Sequence, residues 1–353
     1  MCDFVNTSWL TFAFYCDIIQ KKTAEDFLMF IDYKHSSVFL NGRFSELNKA
    51  AVATATGSSI YIAFKGEEII LHFDTSNMQT ARPHIYLVLD GGAFIESAID
   101  DYLRVYAGDS GEHVLWIIYK GGMEIAHRWY QPLEGKLAFK GAEVLEPAEL
   151  PRDDRKTIEF VGDSITEGVL IDPDYAPNKN DGQYNRAFQD DVTATYAWLT
   201  AKALGLRSLH MGYGAVGVTK SGCGAVPKAA DAYPYCFNGH PVRYEDPDYI
   251  LINHGANDAG AGADRYIAEY EHLLDVIREK RPTSRIISTC CFRGHYKVEL
   301  EALINKYNEK HGTDIIFIDA GNWVPYDPIH PLRDGHRIIA ENLAPILKEK
   351  LGL

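Results

Sequence analysis

The spacing of apolar residues changes about 150 residues into this 353-residue chain, and that change most constrains how the chain can fold. Before it, short runs alternate apolar and polar residues, as half-buried β strands do. After it, apolar strands alternate with amphipathic helices. A chain of this length normally forms more than one domain. We therefore predict a β-sandwich domain over residues 1–150 and an α/β domain over residues 151–353.

The first half carries the pattern of an antiparallel sandwich or jelly roll. Its alternating runs are Ser59–Phe64, Ile69–Phe73, His84–Leu89 and Val114–Tyr119. Glycine-containing pairs between them, such as Lys65-Gly66, predict the turns. No long helical pattern interrupts these runs.

The second half alternates strands with helices, which predicts right-handed crossovers and a parallel sheet. The predicted strands are Thr157–Val161, Leu206–Met211, Tyr249–Asn253, Arg285–Cys290 and Asp314–Ile318. The predicted helices are Thr193–Leu204, Arg265–Lys280, Val298–Lys310 and Gly335–Lys350. A segment rich in proline and charge, residues 147–156, separates the two halves as a linker does.

Charge and targeting signals narrow the function classes. The 49 acidic residues outnumber 35 Lys and Arg, and the formal charge of −14 disfavours nucleic acid as a partner. The apolar stretch Trp9–Ile19 follows no basic residue and is interrupted by Asp17, so we expect neither a secretory signal nor a membrane span.

Cysteine and histidine spacing narrows the classes further. Six cysteines without a C-x-x-C pair are typical of reduced thiols, which indicates a cytoplasmic protein. The histidines show no metal-ligand spacing, so we expect no metal and no other cofactor. The sequence leaves a homo-oligomer open.

Four polar segments follow the predicted strands of the second half, where an open parallel sheet binds its ligands. Gly162-Asp163-Ser164 places a serine between a strand and a helix, and a glycine-rich stretch, residues 212–219, follows the next strand. Gly255-Ala256-Asn257-Asp258 and the Asp327-x-x-His330 pair complete the set. Each segment alone is also typical of a helix N-cap or a surface turn. Their joint placement favours a catalytic site.

In this order the four segments resemble the first, second, third and fifth sequence blocks of the SGNH (GDSL-like) hydrolase superfamily, over residues 157–350. The resemblance implies a three-layer, flavodoxin-like α/β domain and an ester hydrolase. The β-rich half before it looks like that of carbohydrate esterase family two, whose members are acetylxylan or acetylmannan esterases with an N-terminal jelly roll. The expected function is therefore a serine O-acetylesterase acting on acetylated xylan- or mannan-type oligo- or polysaccharide.

The chemistry of an ester hydrolase assigns a role to each candidate. Ser164 is the expected nucleophile, and His330 is the base that takes its proton. Asp327 can orient His330 and stabilise the imidazolium. Some relatives in family two work with a Ser-His dyad, but the presence of Asp327 favours a triad here. Asp334 is a rival partner for the histidine.

The oxyanion of the tetrahedral intermediate needs preorganised hydrogen-bond donors. We expect the backbone N–H of Ser164 and the side chain of Asn257 to supply two of them. The second block supplies another, which is Ala215 in the best register and Gly217 in a register shifted by two residues. The choice between these two stays open.

Aromatic residues in two insertions, Tyr184 and Tyr235, are expected to bind substrate together with Trp323. The alternative is that they pack on the β half. Two rival functions remain: an acylhydrolase for a lipid, thioester or other non-carbohydrate ester, and a carbohydrate-binding protein with an inactive hydrolase domain. The intact set of Ser164, Asn257, Asp327 and His330 argues against the second.

Overall fold

The computed structural model describes residues 28–78, 82–177, 182–244, 246–325 and 327–353. Within these ranges an antiparallel β part precedes a parallel α/β part, so the predicted fold class is confirmed. The stretch Trp9–Ile19 lies outside the described residues. No helix in the described ranges is long and apolar enough to cross a lipid bilayer. The division into two domains at residue 150 stays a prediction.

Ten strands of the described β part form one antiparallel sheet. They are β1 (Met29–Asp32), β2 (Val38–Asn41), β3 (Ser45–Leu47), β4 (Ala50–Ala53), β5 (Ser59–Phe73), β6 (His84–Leu89), β7 (Ile95–Ala98), β8 (Tyr102–Tyr106), β9 (Glu112–Gly121) and β10 (Leu137–Pro147). Their inward-facing residues, Ile62, Leu71, Ile117 and Phe139 among them, form a buried apolar core.

The long strand β5 joins two regions of this sheet. It pairs with β2 and β9 at its start and with β8 and β10 further on. The turn predicted at Lys65-Gly66 is therefore wrong. Gly66 has a φ of +134°, and a Cβ there would lie 2.9 Å from the Cβ of Leu145. The glycine permits the close approach of β10, and β5 continues through this position as one strand.

The described α/β part contains a small hairpin, a parallel sheet and seven α-helices. In chain order its elements are β11 (Thr157–Gly162), α1 (Ser164–Glu167), α2 (Gly182–Gln189), α3 (Tyr196–Ala203), β12 (Arg207–Gly212), α4 (Ala229–Ala232), β13 (Tyr235–Phe237), β14 (His240–Pro241), β15 (Tyr249–Asn253), α5 (Ala263–Lys280), β16 (Arg285–Thr289), α6 (Lys297–His311), β17 (Ile316–Ile318) and α7 (Arg333–Leu351).

The parallel sheet has the order β12-β11-β15-β16-β17, which is the flavodoxin-like arrangement. Strand β11 lies between β12 and β15, and Gly162 pairs with Gly212 on one side and with Asn253 on the other. The segments that follow these three strands therefore leave the sheet side by side.

Buried charges cross the contact between the β part and the α/β part. Arg43 follows β2, and its Nη1 lies 2.7 Å from Oε1 of Glu159 in β11, with both side chains fully buried. The hydroxyl of Tyr233 donates to Oε2 of Glu159 at 2.8 Å, and Arg43 donates to the carbonyl oxygen of Tyr235 at 3.1 Å. The aromatic insertion of residues 232–237 thus packs on the β part.

We expect Arg43→Met to destabilise the protein by about 3–5 kcal/mol, because it leaves the Glu159 carboxylate buried without its partner. Urea unfolding followed by circular dichroism measures the change. The control is Arg104→Met, whose ion pair with Glu68 is exposed and contributes less than about 1 kcal/mol. Equal effects of the two substitutions would contradict this account of the interface.

Candidate active site

A serine and a histidine meet at the carboxyl edge of the parallel sheet. Ser164 begins α1 directly after β11, and its Oγ lies 2.9 Å from Nε2 of His330 in the loop before α7. Asp163 caps this short helix by accepting a hydrogen bond from the N–H of Ile165 at 3.0 Å. A hydroxyl within hydrogen-bond distance of an imidazole is the arrangement that activates a serine as a nucleophile.

The surroundings of His330 favour its neutral form. Burial is the largest influence and lowers the pKa of its imidazole. The charge of Glu124 opposes this shift, while the positive charges of Arg186 and Arg293 add to it. Glu124 and Arg186 are themselves an ion pair, with 3.3 Å between Oε1 and Nη1. A neutral imidazole near pH 7 can take a proton from Ser164.

The carboxylates expected to orient His330 are not bonded to it. Asp327 is exposed, and among the described contacts no hydrogen bond joins it to His330. The rival Asp334 has a side chain that is 90% exposed and lies 3.6 Å from Arg337. The structure therefore brings together Ser164 and His330 of the predicted triad but not Asp327, whose role stays a prediction.

His336 is a second buried histidine near this edge and has a structural contact. Its Nδ1 accepts a hydrogen bond from the backbone N–H of Tyr196 at 3.0 Å. Complete burial lowers the pKa of His336 to about 3, so the ring remains neutral and holds the start of α3.

Some of the backbone N–H groups expected to bind the oxyanion already donate a hydrogen bond within the protein, and others do not. Within the described part of the chain, the N–H groups of Ser164 and Ala215 have no acceptor. Ala215 has the left-handed φ of +58°, a conformation that few non-glycine residues adopt. The N–H of Gly217, in contrast, donates to the carbonyl oxygen of Lys220 at 3.1 Å. Of the two candidates in the second block, Ala215 is the one with a free donor.

The side-chain amide of Asn257 is already engaged. Its Nδ2 lies 3.2 Å from Oδ2 of Asp163 and 3.1 Å from the carbonyl oxygen of Val216. To donate to an oxyanion, Asn257 must release one of these acceptors. Burial raises the pKa of Asp163 to about 7. Because Asp163 caps α1 and accepts a hydrogen bond from Asn257, it has the structural role expected from the sequence.

A buried carboxylate fixes the loop that carries Ala215. Asp258 accepts hydrogen bonds from the backbone N–H groups of Val218 at 3.2 Å and Thr219 at 2.9 Å. A Cβ at Gly217 would lie 2.4 Å from Oδ1 of Asp258, so only glycine leaves room for the carboxylate. The third sequence block therefore determines the shape of the second.

The three residues expected to bind substrate differ in their surroundings. The ring of Tyr235 packs edge-on against Trp129 at 6.4 Å, and no described contact joins it to Ser164 or His330. Trp323 packs against the apolar core of the α/β part. The side chain of Tyr184 lies outside the part of the chain that the structure describes. Substrate binding by these three residues stays a prediction.

Sequence reasoning missed several charged residues around the site. Glu124 and Arg128 lie between β9 and β10, in a segment whose sequence has no motif linking it to the second half. Glu167 had a weak signal, because its spacing of three residues from Ser164 places both on the same helical turn. Its contact with Arg128 depends on how the two parts pack.

Comparison with known proteins gives a family model and a set of similar folds. The model described as "GDSL-like Lipase/Acylhydrolase family" matches residues 160–338, about half of the chain. No curated protein matches the chain.

Three solved structures share the arrangement of both parts. A family two carbohydrate esterase from Cellvibrio japonicus has 20% identity and a TM-score of 0.75, covering 91% of this chain and 97% of that one. A family two carbohydrate esterase from Clostridium thermocellum, in complex with cellohexaose, has 20% identity and a TM-score of 0.71, with coverages of 89% and 99%. An acetyl xylan esterase (Est2A) from the rumen bacterium Butyrivibrio proteoclasticus has 18% identity and a TM-score of 0.71, with coverages of 92% and 99%. At these identities the likeness establishes the fold.

The electrostatic account of His330 predicts its titration. In an NMR titration we expect a midpoint below the ordinary histidine pKa of about 6.5, since burial and the neighbouring arginines disfavour the imidazolium. Arg186→Gln should move the midpoint up, and Glu124→Gln should move it down.

The control is Arg152→Gln, because the side chain of Arg152 is 87% exposed and its charge is screened by solvent. A wild-type midpoint above about 7 would contradict the account. So would a shift in the same direction for the Arg186 and Glu124 variants.

Proposed function

Because the chain belongs to the GDSL-like lipase/acylhydrolase family, it is a carboxylic ester hydrolase, and we propose that it is a serine O-acetylesterase for acetylated xylan- or mannan-type oligo- or polysaccharide. The observation that carries the mechanism is the 2.9 Å contact between Oγ of Ser164 and Nε2 of His330. The substrate class is supported by the proteins of similar fold, which include an acetyl xylan esterase and an esterase in complex with cellohexaose. The formal charge of −14 favours a neutral glycan over one that carries carboxylates.

Acylation begins when Oγ of Ser164 attacks the carbonyl carbon of the acetyl ester and transfers its proton to Nε2 of His330. The negative oxygen of the tetrahedral intermediate accepts hydrogen bonds from the free backbone N–H groups of Ser164 and Ala215. Asn257 adds a donor when its amide releases Asp163 or Val216. His330 then protonates the departing sugar oxygen, the bond to the sugar breaks, and the acetyl group remains on Ser164.

Deacylation repeats these steps with water as the nucleophile. His330 takes a proton from the water, whose oxygen attacks the carbonyl carbon of the acetyl-enzyme. The same donors stabilise the second tetrahedral intermediate. Collapse of this intermediate breaks the bond to Oγ, His330 returns the proton to Ser164, and acetate leaves.

Ser164→Ala is expected to lower kcat for an acetyl nitrophenyl ester by at least about 10⁴-fold, because the acceptor of the acetyl group is lost. The matched control is Ser58→Ala, which removes a fully buried serine hydroxyl of the β part that has no hydrogen-bond partner among the described residues. Full activity of the Ser164 variant would contradict the mechanism.

Asp327→Asn distinguishes a triad from a dyad. Loss of a triad aspartate lowers kcat by roughly 10⁴-fold. We expect a loss of less than about tenfold, since Asp327 is exposed and has no described hydrogen bond to His330. Steady-state kinetics with the same ester measures the loss, and a change near the larger value would establish Asp327 as the third member.

A substrate panel tests the carbohydrate assignment. We expect acetate release from acetylated xylan, mannan and their oligosaccharides to exceed the cleavage of longer acyl esters. Acid release measured by chromatography compares the substrates directly. Fast cleavage of longer esters with no acetate released from any glycan would favour the rival acylhydrolase function.

A further inference from the structure

We propose that Arg128, a residue of the β part, is a positioning residue for the loop of residues 213–219, which it holds through Glu167. We call this segment after β12 the oxyanion loop, because it contains Ala215. The inference rests on the proposed function, in which Ala215 donates to the oxyanion. It makes the β part a component of the catalytic apparatus.

Arg128 is fixed on several sides by contacts within the protein interior. Its guanidinium forms a buried ion pair with the carboxylate of Glu167, and the two side chains are 2% and 1% exposed. The second nitrogen, Nη2, donates to the carbonyl oxygen of Glu124 at 3.0 Å. The guanidinium also stands 5.2 Å from the centre of the Tyr213 ring, at the start of the oxyanion loop. The backbone N–H of Arg128 donates to Gly224 at 3.0 Å.

Glu167 connects this arginine to both sides of the reacting centre. It is the last residue of α1, the helix that begins with Ser164. Its Oε2 accepts a hydrogen bond from the backbone N–H of Gly214 at 2.5 Å, and Gly214 directly precedes Ala215. One carboxylate therefore links the helix of the nucleophile to the loop that carries the oxyanion donor.

The β part touches the oxyanion loop a second time. The carboxylate of Glu124 packs against Gly214, where a Cβ would lie 2.5 Å from Oε2. A hydroxyl of the β part, Oγ1 of Thr56, also donates to the carbonyl oxygen of Glu167 at 2.8 Å. These contacts come from two separate segments of the β part, so the position of Gly214 depends on how the two parts pack.

The carboxylate of Glu167 depends on the charge of Arg128 to remain an ionised hydrogen-bond acceptor. Burial raises the pKa of the Glu167 carboxyl, and the charge of Arg128 opposes that rise. The ionised carboxylate offers both oxygens as acceptors, so it can bind the guanidinium and the N–H of Gly214 together. If the guanidinium is lost, burial favours the protonated carboxyl, and its hold on Gly214 weakens.

This role predicts an effect on the rate of the chemical step. A donor that is displaced from the oxyanion reduces the stabilisation of the transition state more than that of the bound substrate. The loss should therefore fall on kcat and leave KM nearly unchanged. If the ion pair were purely structural, its loss would lower the stability of the protein without lowering kcat more than it changes KM.

The experiment compares two buried ion pairs that cross the same interface. Glu167→Gln removes the carboxylate charge at the site, and Arg128→Lys keeps the charge but loses the forked geometry. The matched control is Glu159→Gln, whose partner Arg43 also belongs to the β part but whose contacts do not include the oxyanion loop. Each variant is assayed on an acetyl nitrophenyl ester and for inhibition by a boronic acid, which forms a tetrahedral adduct with the serine.

We expect Glu167→Gln to lower kcat by about 10- to 100-fold with less than about a threefold change in KM. Arg128→Lys should lower kcat by a smaller factor, because it keeps the charge that favours the ionised Glu167 and loses only the forked geometry. Affinity for the boronic acid should fall with kcat. Glu159→Gln should lose comparable stability and keep kcat within about twofold. The proposal is overturned if both site variants keep wild-type kcat, or if the control loses as much kcat as they do.

A measurement on the wild type removes the dependence on variants that fail to fold. The amide hydrogen of Gly214, which donates to Glu167, should exchange with solvent slowly, at a rate comparable with that of core amides. Exchange at the rate of an exposed loop amide would overturn the proposal. If the wild type hydrolyses no ester, the proposed function fails, and the exchange of Gly214 still decides whether the contact exists.

Discussion

Gly162 pairs with Gly212 on one side and with Asn253 on the other, and this parallel register determines where the reactive groups lie. Because the three strands end together, Ser164, Ala215 and Asn257 follow within two to four residues of the same sheet edge. Ser164 is the first residue of α1, two residues after β11 ends, so it lies at that edge. The remaining group, His330, arrives from the loop before α7.

The contact between the β part and the α/β part contains two ion pairs in the protein interior, where burying a charge costs free energy. Arg43 with Glu159 and Arg128 with Glu167 are both almost completely buried, and desolvating such pairs offsets much of their attraction. Apolar residues of similar size would often give equal stability. A buried pair therefore suggests a demand for defined geometry. At Glu167 that demand is the orientation of Gly214, next to the proposed oxyanion donor.

Much of this arrangement could be predicted from the sequence because it depends on local patterns. The change of apolar period gave the order of the β and α/β parts, and the five strands of the parallel sheet lie within two residues of their predicted ends. The family resemblance, now confirmed by the match over residues 160–338, selected Ser164 and His330. The structure brings these two residues into contact.

The remaining features depend on contacts that a sequence does not display. The pair Lys65-Gly66 is typical of a turn, but the pairing of β5 with four other strands keeps Gly66 inside one strand. The sequence offered Ala215 in the best register and Gly217 in a register shifted by two residues, and the hydrogen bond from the N–H of Gly217 to Lys220 distinguishes them. The spacing of Asp327 and His330 predicted a bond that is not among the described contacts. Arg128 is distant in sequence from every motif.

The central claim is that Ser164 carries the acetyl group between sugar and water. The most direct measurement is rapid acid quenching of the wild-type enzyme during turnover of an acetyl nitrophenyl ester, followed by mass spectrometry of its peptides. The account predicts the added mass of one acetyl group on the peptide that contains Ser164, at a level that rises within the first turnover. Release of acetate with no acetylated Ser164, or with the acetyl group on another residue, would contradict it.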